Sequence, residues 1–259
     1  MSAIAFQIPQ ALSVEVRKYR RTLAFWLALL SPLFLVTLNF MIYWLRETPM
    51  VGPEQNAWHQ YGMMNLNPSV FLLFPMFVTL LAVFFFQIEH QNHSWKHLWI
   101  LPIARSQQYL AKVLILLGLV ATSLVLFFFL IWGTGGLLGI LRPELGFQED
   151  TGVGDIGKMV LWSGGASFAL VAFQFWFSFR WRSILFPLAL GFAGLVSANI
   201  IISWEYSFWH PYTAPMLALA TAQGGAEELP INPILYSLAI GLGVFILAYF
   251  EGKRRVLKG

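Results

Sequence analysis

Six long apolar stretches constrain the fold of this chain more than any other feature. They cover residues 22–45, 70–88, 110–138, 159–179, 184–204 and 234–250. A helix rises about 1.5 Å per residue, so about 20 mainly apolar residues cross the roughly 30 Å hydrocarbon layer of a bilayer. The sequence therefore predicts an all-α integral membrane protein with six transmembrane helices.

Composition supports burial in a bilayer rather than in a soluble core. Hydrophobic residues make up 58% of the chain and charged residues 11%, whereas soluble proteins carry about 25% charge. The basic residues are scattered at the ends of the apolar stretches, which argues against a nucleic-acid partner. We expect one transmembrane domain over residues 1–259: an N-terminal amphipathic helix (1–21), a six-span bundle (22–250) and a basic tail (251–259).

The distribution of basic residues predicts the orientation. If the N-terminus is cytoplasmic, thirteen of the sixteen Lys and Arg residues lie on the cytoplasmic side, and only Arg46, Arg142 and Lys158 lie opposite. Lys and Arg near span ends favour the cytoplasmic side. We therefore expect a multi-pass protein of the plasma (cell inner) membrane with both termini in the cytoplasm.

The segment before the first span has an amphipathic pattern. Leu12, Val16, Tyr19 and Leu23 recur at helical spacing and form one stripe. The charged residues of the other face are Glu15, Arg17, Lys18, Arg20 and Arg21. This segment is either an interfacial helix with its basic face toward anionic headgroups, or a basic flank that only orients the first span.

A polar connection follows the second span, from Glu89 to Lys112. Its first half contains Trp95 and Trp99 without Gly or Pro, and Pro102 would end or kink a helix there. The sequence predicts a short amphipathic helix exposed to the cytoplasm. His90, His93 and His97 could share one face of it, but Glu89 is the only nearby carboxylate. Ordinary polar or partner-facing histidines are favoured over a metal site.

The connection between the fifth and sixth spans contains Trp209, His210, Pro211 and Met216. Its apolar stretch, residues 216–222, is too short to cross a bilayer and predicts a re-entrant or interfacial helix. This segment is either a substrate gate or a plain extracytoplasmic cap, and the cap is favoured.

Ionisable residues are missing from the middle of every predicted span. Ion-coupled carriers usually keep such groups at membrane depth, so the energy source should lie elsewhere. Asn39, Gln174 and Asn199 are the notable polar residues within spans, and we expect them to bridge helices. Several tryptophans at predicted span ends, including Trp44, Trp58, Trp204 and Trp209, indicate an interfacial aromatic belt.

Two local patterns carry a family resemblance. The N-terminal pattern is Glu15, Lys18 and Thr22; the loop pattern is Glu89, Trp95, Lys96, Pro102, Arg105, Ala111 and Lys112. With the six spans, these patterns resemble a permease subunit of the type-2, exporter-like class of ABC transporters, particularly the lantibiotic-immunity and related drug-export permeases. The resemblance extends over nearly the whole chain.

The resemblance implies that the loop after the second span docks on a separate ATP-binding subunit. The residues implied in ATPase coupling are Glu89, His90, His93, Trp95, Lys96, His97, Trp99, Pro102 and Arg105. It implies that this chain binds no cofactor, with ATP and Mg on the partner. Expected partners are two ATPase subunits, a second permease copy or a paralogue, and membrane lipids.

The implied function is outward movement of an amphipathic substrate, such as an antimicrobial peptide, a drug or a lipid-like molecule, by alternating access. The chain would then carry no catalytic residues. The alternatives are a membrane-embedded enzyme acting on lipid or isoprenoid substrates through His210, Glu205 or the loop histidines, and a passive scaffold or channel.

Overall fold

A computed structural model describes residues 8–19, 22–46, 56–91, 105–148, 152–225 and 229–256. Every regular element in this part of the chain is helical. The α-helices are α1 (Ile8–Tyr19), α2 (Leu23–Leu45), α3 (Ala57–Pro68), α4 (Phe74–Gln91), α5 (Arg105–Leu141), α6 (Val153–Ala166), α7 (Phe168–Arg180), α8 (Leu185–Ile201), α9 (Ala214–Ala222) and α10 (Pro233–Val256). A π-helical turn, Ser69–Leu73, joins α3 to α4, and the 3₁₀ turns Pro143–Leu145 and Ser207–Trp209 lie in connections.

Four helical segments are long and apolar enough to cross a membrane: Leu23–Leu45, Ala57–His90, Ser106–Leu141 and Pro233–Arg254. They confirm the first, second, third and sixth predicted spans as long apolar helices. Helices α6 and α7 meet at a 40° bend, and they add a fifth candidate span if the bent pair crosses the membrane as one unit rather than as a re-entrant loop. Helix α8, at 17 residues, is shorter than these segments, so the fifth predicted crossing stays a prediction.

The helical structure that contains the second predicted span begins earlier than the apolar stretch. The sequence pattern placed its start at residue 70, but helical structure runs from Ala57 through the π turn to Gln91. Asn56 caps the start of α3, since its side chain accepts a hydrogen bond from the backbone N–H of His59 at 3.1 Å. Because α3 begins at Ala57, the connection between the first and second predicted spans is shorter than the sequence predicted.

Trp58, at the start of α3, is also buried rather than part of an interfacial belt. Its indole N–H donates to the carbonyl of Phe147 at 2.9 Å, and only 3% of the residue is exposed. The ring lies against Gly135 of α5, where an added Cβ would come within 2.5 Å of a Trp58 ring carbon. The absence of a side chain at Gly135 therefore allows α3 to pack closely on α5.

Two prolines interrupt the backbone hydrogen bonding of the second span. Pro68 and Pro75 have no N–H, so the carbonyls four residues earlier, on Met64 and Phe71, lose their usual helical donors. Side-chain amides of neighbouring helices supply replacements: Asn39 of α2 donates to the Met64 carbonyl at 3.3 Å, and Asn199 of α8 donates to the Phe71 carbonyl at 3.0 Å. These bonds satisfy polar groups that lipid cannot satisfy.

The helices form one bundle with two distinguishable ends. α2 packs on α5, α7 on α10, α6 on α9, and α4 on both α7 and α8. At one end, the imidazole of His90 lies 3.0 Å from the Ser178 carbonyl, and Arg180 contacts Glu251 at 2.8 Å. We call this the basic end, because it also holds Arg17, Lys18, Lys112, Arg182, Lys253 and Arg254. At the opposite end, Arg142 of the connection after α5 donates to the Trp44 carbonyl at 2.9 Å.

Candidate functional site

A buried ionic cluster joins three helices at the basic end. Lys112 of α5 donates to Glu15 of α1 at 2.8 Å and also to Glu89 of α4, and Lys18 of α1 donates to Glu89. Glu89 is completely buried and Lys112 is 3% exposed. We refer to Glu15, Lys18, Glu89 and Lys112 as the ionic cluster.

Local geometry explains how these four residues meet. Glu15 and Lys18 lie three residues apart, on one face of α1, with their charged atoms 3.9 Å apart. Glu89 occupies the last turn of α4, and Lys112 lies two turns into α5. Since α4 ends and α5 begins at the basic end, both side chains reach the same face of α1.

Tyr19 closes the cluster on one side. Its ring stacks on Phe85 of α4 with centroids 4.0 Å apart and planes at 10°, and the Lys18 ammonium lies 5.3 Å from the ring centroid. Burial raises the pKa of Tyr19 well above its usual value, and the nearby charges of Glu89 and Glu15 raise it further. The phenol therefore keeps its proton over the physiological pH range.

The cluster is electrically balanced but does not satisfy every atom. Two carboxylates face two ammonium groups, which offsets much of the cost of burying four charges. Among the described residues, the Glu15 Oε2 and Glu89 Oε2 atoms are buried without a hydrogen-bond partner. Removing any one member would leave an uncompensated charge. We infer that α1, α4 and α5 are held together at this point as one unit.

The face of the N-terminal helix that packs inward includes Glu15 and Tyr19, so it differs from the predicted apolar stripe, and the interfacial position of this helix stays a prediction. Val16 of that stripe is 49% exposed, whereas Glu15, assigned to the polar face, is buried against α5. The ion pairs of Glu15 and Lys18 and the stacking of Tyr19 determine which face packs inward. Arg17 is exposed, and Arg20 and Arg21 lie outside the described residues.

The predicted coupling residues lie partly outside the described structure. His93, Trp95, Lys96, His97, Trp99 and Pro102 all fall there. Of the rest, Glu89 belongs to the ionic cluster, His90 contacts the Ser178 carbonyl, and Arg105 begins α5. The ionic cluster thus joins the last turn of α4, where this loop begins, to a point two turns inside α5, the helix that follows the loop.

The described residues between α8 and α10, 202–225 and 229–232, include the 3₁₀ turn Ser207–Trp209 and helix α9. We call this segment the cap, and whether it acts as a plain cap or as a gate stays a prediction. Met216, in α9, is fully buried, and α9 packs on α6. Trp209 is exposed, and Tyr236 of α10 donates to its backbone carbonyl. Pro211 is half-buried in the turn before α9.

His210 is held in a geometry that does not suit a catalytic base. The Tyr212 backbone N–H donates to His210 Nδ1 at 3.3 Å, so the proton of the neutral ring lies on Nε2, which is 3.2 Å from Ser197 Oγ. That nitrogen donates to the serine and has no lone pair to accept a proton from it. Burial lowers the pKa of His210, which favours the neutral ring. Glu205 is exposed at this end of the bundle.

A polar contact in the core links this cap to α7. The Gln174 amide donates to the Tyr212 hydroxyl at 2.5 Å. An added Cβ at Gly191 of α8 would lie 2.5 Å from Thr79 and would also clash with Gln174. Asn39, Gln174 and Asn199 all donate to other helices or connections, which confirms their predicted bridging role.

Among the described residues, no group of three His, Asp or Glu side chains lies close enough together to hold a metal ion. His93 and His97 lie outside the described residues.

The fold and the ionic cluster define a multi-pass helical membrane protein whose N-terminal helix is tied to its second and third spans. Residues 11–198 match the model of a family described as ABC-2 family transporter protein. Because the match covers most of the 259 residues, the chain belongs to this family of transporter permeases. No curated protein matches the chain, and no solved structure matches it either.

Sequence reasoning missed the roles of Lys112 and Tyr19. Lys112 appeared only as part of the loop pattern, and Tyr19 only as part of an apolar stripe. A useful signal was present: Lys112 is the one charge that follows the polar loop into an otherwise apolar run. A lysine entering a membrane helix usually has a carboxylate partner, and Glu89 is the nearest candidate along the chain.

Proposed function

We propose that this chain is the membrane subunit of an ATP-driven ABC exporter, with ATP hydrolysis on separate subunits. The observation that carries the proposal is the ionic cluster at the base of the loop after the second span. A force applied to that loop reaches α4 and α5 through its two ends, and reaches α1 through Glu15 and Lys18. Family membership supports the transport class.

In this proposal, residues 90–99 contact the ATPase, with ATP and Mg bound by the partner. Glu89 and Lys112 make the ends of α4 and α5 move together, because separating them would leave buried charges unpaired. Arg105, at the first position of α5, braces the other end of the loop. The ionic cluster acts as the rigid connection between the ATPase and the spans.

The complete assembly would contain two ATPase subunits and two permeases, either identical or paralogous. Each permease would cross the cell inner membrane six times, with both termini and the basic end in the cytoplasm. The substrate would be amphipathic and would move outward by alternating access, in antibiotic resistance, lantibiotic immunity or lipid export. The cap over the opposite end, with Trp209, His210 and Met216, would then lie outside and border the exit.

Replacement of the loop tests the proposal directly. The chain is expressed with the ABC ATPase proposed as its partner, and residues 93–99 are replaced by a Gly-Ser segment of equal length. We expect the ATPase to be lost from the purified complex. A Gly-Ser replacement of residues 226–228, in the connection between α9 and α10, is the control and should retain the ATPase. Retention by both variants would contradict the proposed contact.

A second variant separates binding from coupling. Glu89→Gln keeps the loop intact but removes a charge from the ionic cluster. We expect the ATPase to bind and hydrolyse ATP while cells lose resistance to the exported compound. Glu205→Gln, an exposed carboxylate at the opposite end, should leave both properties unchanged. Full resistance with Glu89→Gln would show that the ionic cluster does not transmit motion.

A further inference from the structure

We infer that a cavity inside the bundle is a binding site for about two water molecules, which complete the hydrogen bonding of Ser31, Ser69 and Ser123. These three residues line the cavity together, and we call it the serine cavity. The inference does not depend on the transport proposal, because it rests only on the side chains that surround the cavity and on the membrane fold.

The serine cavity lies at membrane depth between several helices. Ser31 belongs to α2, Ser69 to the π-helical turn and Ser123 to α5, and apolar side chains such as Phe77 of α4 complete the lining. Ser123 lies near the middle of the candidate span Ser106–Leu141. A hydroxyl at this depth has neither bulk water nor a polar lipid group with which to bond.

The three hydroxyls of the serine cavity differ from hydroxyls elsewhere in the spans. Thr79 and Thr122 donate to the carbonyls four residues earlier, at 2.9 and 2.7 Å. The hydroxyls of Ser31, Ser69 and Ser123 form no hydrogen bond with any of the described residues, and only 4% of Ser123 is exposed. Burying a hydroxyl without a partner is unfavourable, so a polar ligand in the cavity would be stabilised.

The size and chemistry of the cavity select water as that ligand. The cavity offers about 30 Å³, and a water molecule needs about 10–15 Å³ of such space. A molecule such as benzene occupies cavities of about 150 Å³, which excludes it here. The described lining residues are all uncharged, so an ion would have no counter-charge.

The lining also provides the two to four hydrogen bonds that a buried water usually forms. Each free serine hydroxyl can donate one hydrogen bond and accept others. Ser163 lines the cavity as well, and its hydroxyl donates to the Met159 carbonyl at 2.7 Å but can still accept. Hydroxyls from α2, the second span, α5 and α6 are therefore connected through bound water.

This water lies where two helices depart from regular α-helical hydrogen bonding. Ser69 begins the π-helical turn directly after Pro68. Pro32 of α2 lines the cavity and has no N–H, so the Ala28 carbonyl loses its usual helical donor. Water inserts at such interruptions in membrane helices. The bound water thus stabilises the bundle at the point where its first two spans are least regular.

Radiolytic footprinting detects water bound inside a protein. An X-ray pulse converts bound water into hydroxyl radicals, which oxidise the nearest side chains, and mass spectrometry measures the rate for each residue. The full chain is irradiated in nanodiscs. Phe77 and Phe127 report on the cavity, because they line it and are only 4% and 5% exposed. Phe175 is the internal control, since it is fully buried against Phe86 and Phe245.

Three variants test whether the serine hydroxyls hold the water. Ser123→Val removes a hydroxyl and fills part of the cavity. The double variant Ser31→Ala with Ser69→Ala removes two hydroxyls without adding volume. Thr122→Val is the matched control, because the neighbouring hydroxyl that it removes already donates to the Gly118 carbonyl.

In the wild-type chain and in Thr122→Val, we expect the two cavity phenylalanines to be oxidised several-fold faster than Phe175. Both serine variants should lose this excess. Equal rates for all three phenylalanines in the wild-type chain would mean that the cavity is dry and would overturn the inference. Wild-type rates in both serine variants, or loss of the excess in Thr122→Val, would overturn the assignment of the water to the serine hydroxyls.

Discussion

Lys112 is the residue whose removal should damage the protein most. Lys18 and Lys112 both contact Glu15 and Glu89, but the Lys112 side chain is 3% exposed and the Lys18 side chain 23%, so Lys112 is the more deeply buried cation. Lys112→Met leaves two buried carboxylates with Lys18 alone. Breaking a buried ionic group in this way costs about 3–5 kcal/mol, so we expect a much lower midpoint of thermal unfolding in detergent, followed by tryptophan fluorescence.

Charge balance provides the control for this prediction. Glu15→Gln added to Lys112→Met leaves one carboxylate, Glu89, facing Lys18, and should restore part of the lost stability. Lys158→Met removes an exposed lysine and should change the free energy of unfolding by less than about 0.5 kcal/mol. If the double variant is less stable than Lys112→Met, charge balance does not govern the cluster.

His210 should make stability depend on pH. Burial lowers its pKa below the ordinary value of 6.5. Between the two values, the unfolded histidine binds a proton that the folded one does not, so stability falls as pH decreases through 6.5. Protonation of His210 at Nδ1 would also place two N–H donors face to face, because the Tyr212 backbone N–H now donates to Nδ1.

Unfolding midpoints recorded across this pH range test the role of His210. The His210→Gln variant should lose part of the slope between neutral and mildly acidic pH that the wild-type chain shows. His59→Gln, at an exposed position of α3, should keep the wild-type slope. Parallel curves for the wild-type chain and His210→Gln would rule out His210 as the source.

At the scale of elements, the second span depends on amides from its neighbours. Asn199→Leu leaves the Phe71 carbonyl without the donor it now has, which should cost about 1 kcal/mol in a membrane. Pro75→Ala supplies an N–H four residues after Phe71 and should reduce that cost. A double-mutant cycle of unfolding free energies measures the coupling, and additive effects would contradict it.

The same span shows why sequence alone misplaced an element. Six of the twelve residues 57–68 are polar, Gly or Pro, and Pro68 suggests a helix end, so the helix before residue 70 was not predicted. It forms because Trp58 is buried on Gly135 and because Asn39 satisfies the Met64 carbonyl that Pro68 leaves open. Both reasons are tertiary contacts with α5 and α2. Periodicity within the segment cannot reveal them.

At the scale of the whole molecule, the apolar stretches predicted the helical membrane fold well. Hydrophobic length follows from the thickness of the bilayer, so it can be determined from sequence. The site was harder to predict. Glu89 stood out as a charge at a span end, but its partners Glu15 and Lys112 are 74 residues before it and 23 residues after it. Only packing decides that α1 turns its charged face inward.

The crossing by α8 is the topological question that decides between five and six spans. Its 17 residues extend about 25 Å, somewhat less than the roughly 30 Å hydrocarbon layer. Local thinning of the bilayer can accommodate a short helix, and Trp181 and Trp204 flank the two ends as interfacial anchors. Helix α8 starts beside the basic end. The chain after it reaches Trp209, whose carbonyl accepts a hydrogen bond from Tyr236 at the opposite end of the bundle.

Labelling of single introduced cysteines determines whether α8 crosses the membrane, because the chain has no cysteine of its own. Arg182→Cys and Glu205→Cys place exposed thiols before and after α8. A membrane-impermeant maleimide added to intact cells should label Glu205→Cys, whereas Arg182→Cys should react only after the membrane is opened. Lys158→Cys should behave as Glu205→Cys does, and Lys253→Cys as Arg182→Cys does. Labelling of both flanking positions from one side would mean that α8 re-enters the membrane without crossing it.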